Sequence, residues 1–217
     1  MAYIDELIAA GFTREQAEKL AEADALHWKT LNAEEIRRRI SKLAKLYNTS
    51  EEKIREIIVG YPQFAGHDHE RKIKEIAGVY GVGEEKIKEV ILKWPPFVGL
   101  DHERKIKEIA GVYGVGEKEV KEIILKYPRF VGVDHERKIK EIAGVYGVEE
   151  EKIKRIILKW PPFIGRDHER RIKEIAGVYG VEEEKIKRII LKYPQFIGLD
   201  HERRIKEIAG VYGVEEE

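Results

Sequence analysis

The sequence predicts an all-α solenoid, in which copies of one helical unit stack side by side. The first observation is a nearly identical run of 33 residues, whose four full copies occupy 68–100, 101–133, 134–166 and 167–199. A constant step of this length indicates one supersecondary unit repeated many times. The second observation is that apolar residues inside each copy follow the helical period. The third is that Asp, Gly and Pro recur where helices would begin and end.

The pattern divides the 217-residue chain into four segments of a single elongated domain. They are an N-terminal helical cap at 1–34, a diverged first repeat at 35–67, the four near-identical repeats at 68–199 and a partial repeat at 200–217. A terminal cap covers the open end of a repeat stack with a polar face. The partial repeat has no such cap, so we expect exposed apolar surface there and end-to-end self-association.

The N-terminal segment Tyr3–Ala23 is predicted to form two short helices that break at Gly11. Thr13 is a good N-cap residue, and Gln16 three positions later completes a capping box. Residues 25–31 are the predicted joint to the first repeat.

The first helix of each repeat, helix A, is predicted to start at an aspartate such as Asp101, since Asp accepts bonds from the unpaired N–H groups of a first turn. Its apolar residues lie at i, i+3, i+4 and i+7, which is one helical face. In the second full copy they are Ile106, Ile109, Ala110 and Tyr113. Gly114 is placed to end the helix in the left-handed conformation, and Asn48 replaces it in the first repeat. Gly111 is predicted to be an open position, because Lys45 is its counterpart.

The second helix, helix B, is predicted to begin near Gly116, with Ser50 as the N-cap of the first repeat. Its apolar residues have the same spacing. They are Val120, Ile123, Ile124 and Tyr127. Pro128 ends the helix, because the residue before a proline avoids the helical conformation. The residues that follow, 130–132, are predicted to form a turn or a short third helix.

Composition limits the classes of function. The 41 basic and 41 acidic residues cancel, so no global charge attracts nucleic acid or a membrane surface. No cysteine is present, which excludes disulfides and thiolate metal sites. No signal peptide or membrane span is evident, so a soluble intracellular location is expected. The high charge content and few amides are typical of a thermostable protein or an engineered consensus array.

Short motifs in the repeats resemble those of the mitochondrial transcription termination factor (mTERF) family. They are Tyr61-Pro62-Gln63-Phe64 after helix B, the run from Leu46 to Ile54 between the helices, and the later run from Tyr193 to Gly198. The resemblance implies a curved all-α superhelix with three helices per repeat. It also implies binding of double-stranded nucleic acid without catalysis, and an organellar location.

Basic residues recur one repeat apart on helix A, opposite its apolar face. The arginine row is Arg71, Arg104, Arg137, Arg170 and Arg203, and the lysine row beside it is Lys74, Lys107, Lys140 and Lys173. A third row, on helix B, is Lys88, Lys121, Lys154 and Lys187. Stacked repeats would align them into ladders that could contact the phosphate backbone of a nucleic acid. Alternatively, they form ion pairs with neighbouring glutamates on a solvated face.

One position after helix B varies against the constant repeat. It is Gln63, Pro96, Arg129, Pro162 and Gln195 in successive copies. Arg suits guanine and Gln suits adenine in a major groove, so these residues are candidates for base readout. The alternative is packing, because the preceding aromatic residue alternates between Tyr and Trp in step with this position. The residue that ends each repeat varies too: His67, Leu100, Val133, Arg166 and Leu199.

A histidine follows each helix A aspartate, and these histidines are predicted to be exposed first-turn residues that titrate near their ordinary pKa. They are His69, His102, His135, His168 and His201. They lie one repeat apart and do not converge, so no metal site is predicted. Two sets of recurring aromatic residues are assigned to the core: Tyr80, Tyr113, Tyr146 and Tyr179, with Phe97, Phe130 and Phe163.

No set of nucleophile, base and orienting residue is found, so no enzyme activity and no cofactor are predicted. Two functions remain. The first is binding of nucleic acid, with duplex DNA as the partner, through the arginine and lysine rows. The second is a structural or protein-binding repeat scaffold.

Overall fold

The computed structural model describes residues 2–23 and 28–212, and these are helical throughout, apart from turns, with no β-strand among them. The predicted joint at 25–31 lies partly outside the described residues, and the end of the partial repeat, 213–217, lies wholly outside. The all-α repeat fold predicted from the sequence is confirmed. Within the described ranges, no helix is both long and apolar enough to cross a bilayer.

The α-helices are α1 (Ala2–Ala9), α2 (Arg14–Glu22), α3 (Ala33–Tyr47), α4 (Glu51–Gly60), α5 (His69–Tyr80), α6 (Glu84–Lys93), α7 (His102–Tyr113), α8 (Glu117–Lys126), α9 (His135–Tyr146), α10 (Glu150–Lys159), α11 (His168–Tyr179), α12 (Glu183–Lys192) and α13 (His201–Tyr212). A 3-10 helix follows each helix B: η1 (Pro62–Gly66), η2 (Pro95–Gly99), η3 (Pro128–Gly132), η4 (Pro161–Gly165) and η5 (Pro194–Gly198). The odd-numbered helices from α3 onward are therefore helix A, and the even-numbered helices from α4 onward are helix B.

The chain divides into two compact units, Met1–Ile106 and Lys107–Glu217. In the first unit, α1 packs on α2 and α3, α2 packs on α4, and each helix A packs on the helix B of its own repeat. In the second unit, α9 packs on α10 and α11, α11 packs on α12 and α13, and η3 packs on η4. Neighbouring A helices and neighbouring 3-10 helices thus join the repeats of the second unit, whereas contacts of α3 with α6 and of η1 with η2 join those of the first.

The predicted ends of helix A are confirmed. The Asp134 side chain accepts a hydrogen bond from the backbone N–H of Arg137 at 3.2 Å. At the other end Gly147 has a φ of 62°, and its backbone N–H donates to the carbonyls of Ala143 and Gly144. Asn48 holds the same left-handed conformation with a φ of 49°. Both residue types tolerate a positive φ, which explains why only Gly and Asn occupy this position.

Helix B also begins and ends where predicted. Ser50 caps α4 by accepting a hydrogen bond from the N–H of Lys53 at 3.1 Å. The prolines follow the last helical turn, and the third element is a 3-10 helix rather than an irregular turn. In η1 to η4 this element buries one phenylalanine, such as Phe97, which is 0% exposed, whereas Phe196 of η5 is half-buried.

The core follows the predicted apolar faces. In the second full copy, Ile106 and Ile109 of helix A and Val120 and Ile124 of helix B are buried, whereas Ile123 and Tyr127 are half-buried. Tyr179 departs from the prediction because it is 42% exposed, while its counterpart Tyr146 is 6% exposed. Tyr179 lies near the end of the described chain, where fewer helices surround it than surround the earlier tyrosines.

The N-terminal helical pair is confirmed, with a complete capping box between Thr13 and Gln16. It is attached to the first repeat by polar contacts as well as by its apolar face. Arg37 donates a hydrogen bond to the carbonyl of Ala9 at 2.9 Å, and the Glu6 carboxylate accepts one from the N–H of Ala33. These bonds occupy backbone groups at a helix end that would otherwise lack partners.

Candidate nucleic-acid interface

The arginine row lies on the exposed side of helix A, and its members are engaged with carboxylates of their own helix. Arg137 lies 3.6 Å from Asp134 and 2.9 Å from Glu141. Arg170 makes the same two contacts at 3.3 Å and 2.9 Å, with Asp167 and Glu174. The other three arginines make at least one such contact each: Arg71, Arg104 and Arg203. The ion pairs expected on a solvated face are therefore present.

The lysine row differs from the arginine row. Lys74, Lys107, Lys140 and Lys173 are all exposed. No ion pair joins any of them to another residue in the described part of the chain. Each lies three positions after an arginine of the first row, so the two side chains are neighbours on one helical face. The ammonium groups of this row are thus available to a ligand.

The lysines of helix B are less available than those of helix A. Lys88 lies 2.6 Å from Glu85, and Lys187 lies 2.7 Å from Glu184. The equivalent distance, from Lys154 to Glu151, is 3.8 Å. All four are only partly exposed. Their stems lie along the helix surface, and three of the four heads are paired one turn back.

Grooves recur between one helix A and the start of the next. The first, of about 360 Å³, is lined by Arg38, Arg39, Lys42 and Glu70 among others. The second, of about 790 Å³, contains Lys140 together with Arg166 and Asp167. The third, of about 480 Å³, contains Arg166, Arg170, Arg171 and Glu202. Each groove belongs to a single unit and carries charges of both signs.

The most strongly paired carboxylate belongs to the first groove. Glu35 accepts hydrogen bonds from Arg38 at 2.7 and 2.9 Å and from Arg39 at 2.9 Å. These bonds lower the pKa of the Glu35 carboxyl to about 2. Lys42 of the same groove lies 3.0 Å from Glu70 of the next helix A, so one ion pair spans the groove.

The candidate readout residues all occupy the second position of a 3-10 helix. Gln63, Arg129 and Gln195 are exposed, whereas Pro96 and Pro162 are half-buried. None of the five lines the three grooves that hold the helix A cations. The preceding tryptophans contact the buried phenylalanines, with Trp94 and Phe97 ring centroids 6.4 Å apart. Packing therefore accounts for part of the Tyr–Trp alternation at these tips.

The predicted exposure of the histidines is wrong, because His69, His102, His135, His168 and His201 are all 4–5% exposed. Each ring bridges two groups of the preceding repeat. In the first unit, His102 Nε2 lies 2.8 Å from the Phe97 carbonyl and Nδ1 lies 2.9 Å from the Tyr80 hydroxyl. A carbonyl only accepts, so Nε2 carries the proton and the tyrosine donates to Nδ1. A neutral ring satisfies both contacts.

Burial sets the ionisation of these rings. It lowers the pKa of His69, His102 and His168 to about 4, against a partly compensating effect of the bonded phenylalanine carbonyl. Burial likewise raises the pKa of the partner tyrosines. The predicted titration near an ordinary histidine pKa is therefore also wrong. His69, His102 and His168 therefore add no positive charge to the surface at neutral pH.

A signal in the sequence could have identified these buried histidines. His102 lies at i−4 and i−7 from Ile106 and Ile109, and thus continues the apolar face of helix A back into its first turn. The neighbouring Asp101 and Glu103 are exposed, and they suggested a polar stretch. The partner, Tyr80, is 22 residues earlier in the chain, so local patterns do not show it.

The model of the mTERF family matches residues 31–212, which is the array of repeats without its N-terminal helical pair. This chain belongs to the mTERF family. A search of curated proteins returned no match. The family expectation of three helices per repeat is met by helix A, helix B and the 3-10 helix.

The histidines and carboxylates of the mTERF repeat do not form a metal cluster in the ranges that the structure describes. No group of three or more His, Cys, Asp or Glu side chains that could hold a metal ion occurs among those residues. The buried histidines are already engaged by tyrosine and backbone partners. What the repeat offers to a ligand is therefore repeated positive charge and exposed 3-10 helices.

Proposed function

We propose that this mTERF-family chain is a non-enzymatic repeat protein that binds duplex DNA. The observation that supports the proposal is the lysine row, an exposed ammonium group on helix A of each of the four near-identical repeats, with no ion pair among the described residues. A row of cations at a constant repeat spacing matches the regular charge of a phosphate backbone.

The arginine row would assist the lysine row rather than act alone. Its ion pairs are exposed, and exposed pairs contribute only about 0–1 kcal/mol each. A phosphate can therefore compete with the glutamates for the guanidinium groups, with which it forms strong two-pronged hydrogen bonds. Until then the glutamates hold the arginines extended along helix A.

Base readout would fall to the 3-10 helices. Gln63, Arg129 and Gln195 are exposed and carry the donors and acceptors that adenine and guanine recognition requires. Pro96 and Pro162 have no such groups and would contribute contact surface only. Phosphate contacts from helix A would set the register, and these residues would supply any preference for sequence.

A second candidate function is a structural or protein-binding scaffold. The observation that favours it is the balance of charge, since basic and acidic residues number 41 each and the arginine row is paired internally. A protein partner would need no net positive field. This candidate predicts no measurable affinity for nucleic acid.

Binding of labelled duplex DNA at two salt concentrations separates the two candidates. We expect micromolar or tighter binding at about 50 mM salt that weakens steeply by about 200 mM, as phosphate contacts require. Replacing Lys74, Lys107, Lys140 and Lys173 by Ala should weaken binding and lower the salt slope by up to about 3.6, or 0.9 per lost phosphate contact.

The matched control removes four exposed lysines from helix B instead. They are Lys86, Lys118, Lys152 and Lys185. Both variants lose the same charge, so a general electrostatic effect would weaken them equally. Equal weakening would exclude the lysine row as the contact surface. Absence of duplex binding by the parent chain at low salt would leave the scaffold as the function.

A further inference from the structure

In the repeats of the second unit, one segment of each repeat carries positive charge and no negative charge. The segments 123–133, 156–166 and 189–199, which end helix B and form the 3-10 helix, contain five Lys or Arg and no Asp or Glu. The remainder of the same three repeats contains 17 Lys or Arg and 18 Asp or Glu. The net positive charge of these repeats therefore lies in the three segments.

The cations of these segments are also free of internal ion pairs. They are Lys126, Arg129, Lys159, Arg166 and Lys192, all of them exposed. No carboxylate within the described ranges pairs with any of them. This contrasts with Arg137 and Arg170 of helix A, each of which contacts two carboxylates. The lysines lie at the C-terminal ends of their helices, where the helix dipole favours positive charge.

Each segment places an aromatic ring beside a cation. Lys126 Nζ lies 5.4 Å from the ring centroid of Tyr127, and Lys192 Nζ lies 5.2 Å from that of Tyr193. The guanidinium carbon of Arg166 lies 5.8 Å from the Trp160 ring. Tyr193 is 56% exposed, and the other two rings are half-buried. We name these eight residues the tip ridge: Lys126, Tyr127, Arg129, Lys159, Trp160, Arg166, Lys192 and Tyr193.

The tip ridge is continuous from repeat to repeat. The 3-10 helices η3 and η4 pack on each other. Trp160 and Arg166 reach the next 3-10 helix at Gly198, where an added Cβ would lie 3.5 Å and 3.2 Å from their side chains. The absence of a side chain at Gly198 thus leaves room for the arginine that lies along the tryptophan.

We propose that the tip ridge binds single-stranded nucleic acid, with its lysines and arginines on phosphates and its aromatic rings against bases. Proteins that bind single strands combine these two elements, a line of positive charge and rings on which bases stack. A base stacked on a ring is worth more than an exposed contact between a lysine and that ring. A lysine can therefore leave the ring for a phosphate and expose the ring face to the base.

The geometry favours an unpaired strand over a duplex at this surface. Stacking on protein rings requires a base whose face is free, whereas the bases of a duplex are stacked on each other. Lys126, Tyr193 and Lys192 of the ridge line none of the grooves that contain helix A cations, whereas Arg166 shares one of them with Lys140. The ridge shares Arg129 with the proposed duplex readout, but the inference concerns a different ligand, and either proposal can fail while the other holds.

The test uses the full chain and three labelled probes: oligothymidylate and oligouridylate of about 15 nucleotides, and a DNA duplex. Lys126→Ala with Lys192→Ala should weaken binding of the single strands about tenfold and lower the salt slope by about 1.4, or 0.7 per lost phosphate contact. Tyr193→Leu should weaken the single strands about tenfold and leave the salt slope unchanged. Neither change should alter duplex binding by more than about twofold, because none of Lys126, Lys192 and Tyr193 is a proposed duplex contact.

The control is Lys118→Ala with Lys185→Ala, which removes the same charge from the first turn of helix B. The proposal would be overturned if the control weakened single-strand binding as much as the ridge variant does. It would also be overturned if Tyr193→Leu bound single strands normally, or if the parent chain did not bind them at all. Duplex binding without single-strand binding would refute the tip-ridge proposal and leave the proposed duplex function standing. Single-strand binding without duplex binding would refute only the proposed duplex function. The ratio of the two single-strand affinities shows which sugar is preferred.

Discussion

Five histidines join successive repeats through two hydrogen bonds each, which a neutral ring satisfies without placing a charge in the buried site. Protonation of His102 would place a second N–H opposite the Tyr80 hydroxyl and a charge in a site that is 4% exposed. Lys72 lies near enough to oppose that charge, and Asp101 only partly favours it. Protonation of these rings therefore destabilises the contact between neighbouring repeats.

Stability should decrease as the pH falls from 6.5 towards 4.5. The folded pKa of His69, His102 and His168, about 4, is below the unfolded value, so protons bind preferentially to the unfolded chain in this window. Each such histidine contributes a slope of up to about 1.4 kcal/mol per pH unit. Stability from this source is complete above pH 6.5, and carboxylates titrate mostly below the window. Urea unfolding at several pH values measures the slope.

The matched variant for this prediction is His102→Gln. Its amide can still donate to the Phe97 carbonyl, but it does not titrate. The slope of unfolding free energy against pH should therefore fall by the contribution of one histidine. A parent chain whose unfolding free energy is constant between pH 6.5 and 5 would contradict the buried neutral state. An unchanged slope in the variant would assign the effect to other groups.

At the scale of the element, the two glycines of each helix A have opposite roles. Gly147 ends α9 with a φ of 62°, a conformation that other residues except Asn rarely adopt. Gly144 lies inside α9, and an added Cβ would contact nothing within 4 Å. Lys45 occupies the equivalent position in the first repeat. No packing reason for the interior glycine is visible in the structure.

Alanine at these two glycines should change stability in opposite directions. Gly147→Ala should cost about 1 kcal/mol, because the left-handed conformation strains a residue with a Cβ. Gly144→Ala should stabilise by up to about 1 kcal/mol, because glycine is a poor helix former. Urea unfolding of both variants measures the difference. Gly147→Asn is the control for the first, since Asn48 holds this conformation, and it should lose less than the alanine variant. A stabilising Gly147→Ala would contradict the assignment.

At the scale of the whole molecule, most of the fold could be predicted because its determinants are local and repeated. Asp101, Gly114 and Pro128 act within a few residues of their own position, and the pattern shows them several times. The buried histidines could not be predicted in the same way, because their burial depends on a tyrosine one repeat earlier. Which cations are free also depends on where the carboxylates point. Sequence spacing therefore grouped Arg137 with Lys140, although only the first is paired.

The last helix presents apolar surface that earlier repeats bury. Ile208 and Val211 of α13 are 58% and 80% exposed, whereas Ile175, the counterpart of Ile208, is 1% exposed. In the earlier repeats such isoleucines pack against the helices around them, so the exposed face has the shape and chemistry of a repeat contact. A second copy of the chain can supply a matching face, because two α13 helices related by a twofold axis would each cover the other.

We therefore expect concentration-dependent self-association through α13. Burying two copies of Ile208 removes apolar surface from water, at about 25 cal/mol for each Å² buried. Ile208→Gln should shift the equilibrium towards the monomer, whereas Lys206→Gln, a control on the same helix, should leave it nearly unchanged. Light scattering coupled to size-exclusion chromatography over a range of concentrations measures both. A parent chain that stays monomeric at every concentration would rule out this contact, and equal effects of the two variants would attribute association to charge rather than to the apolar face.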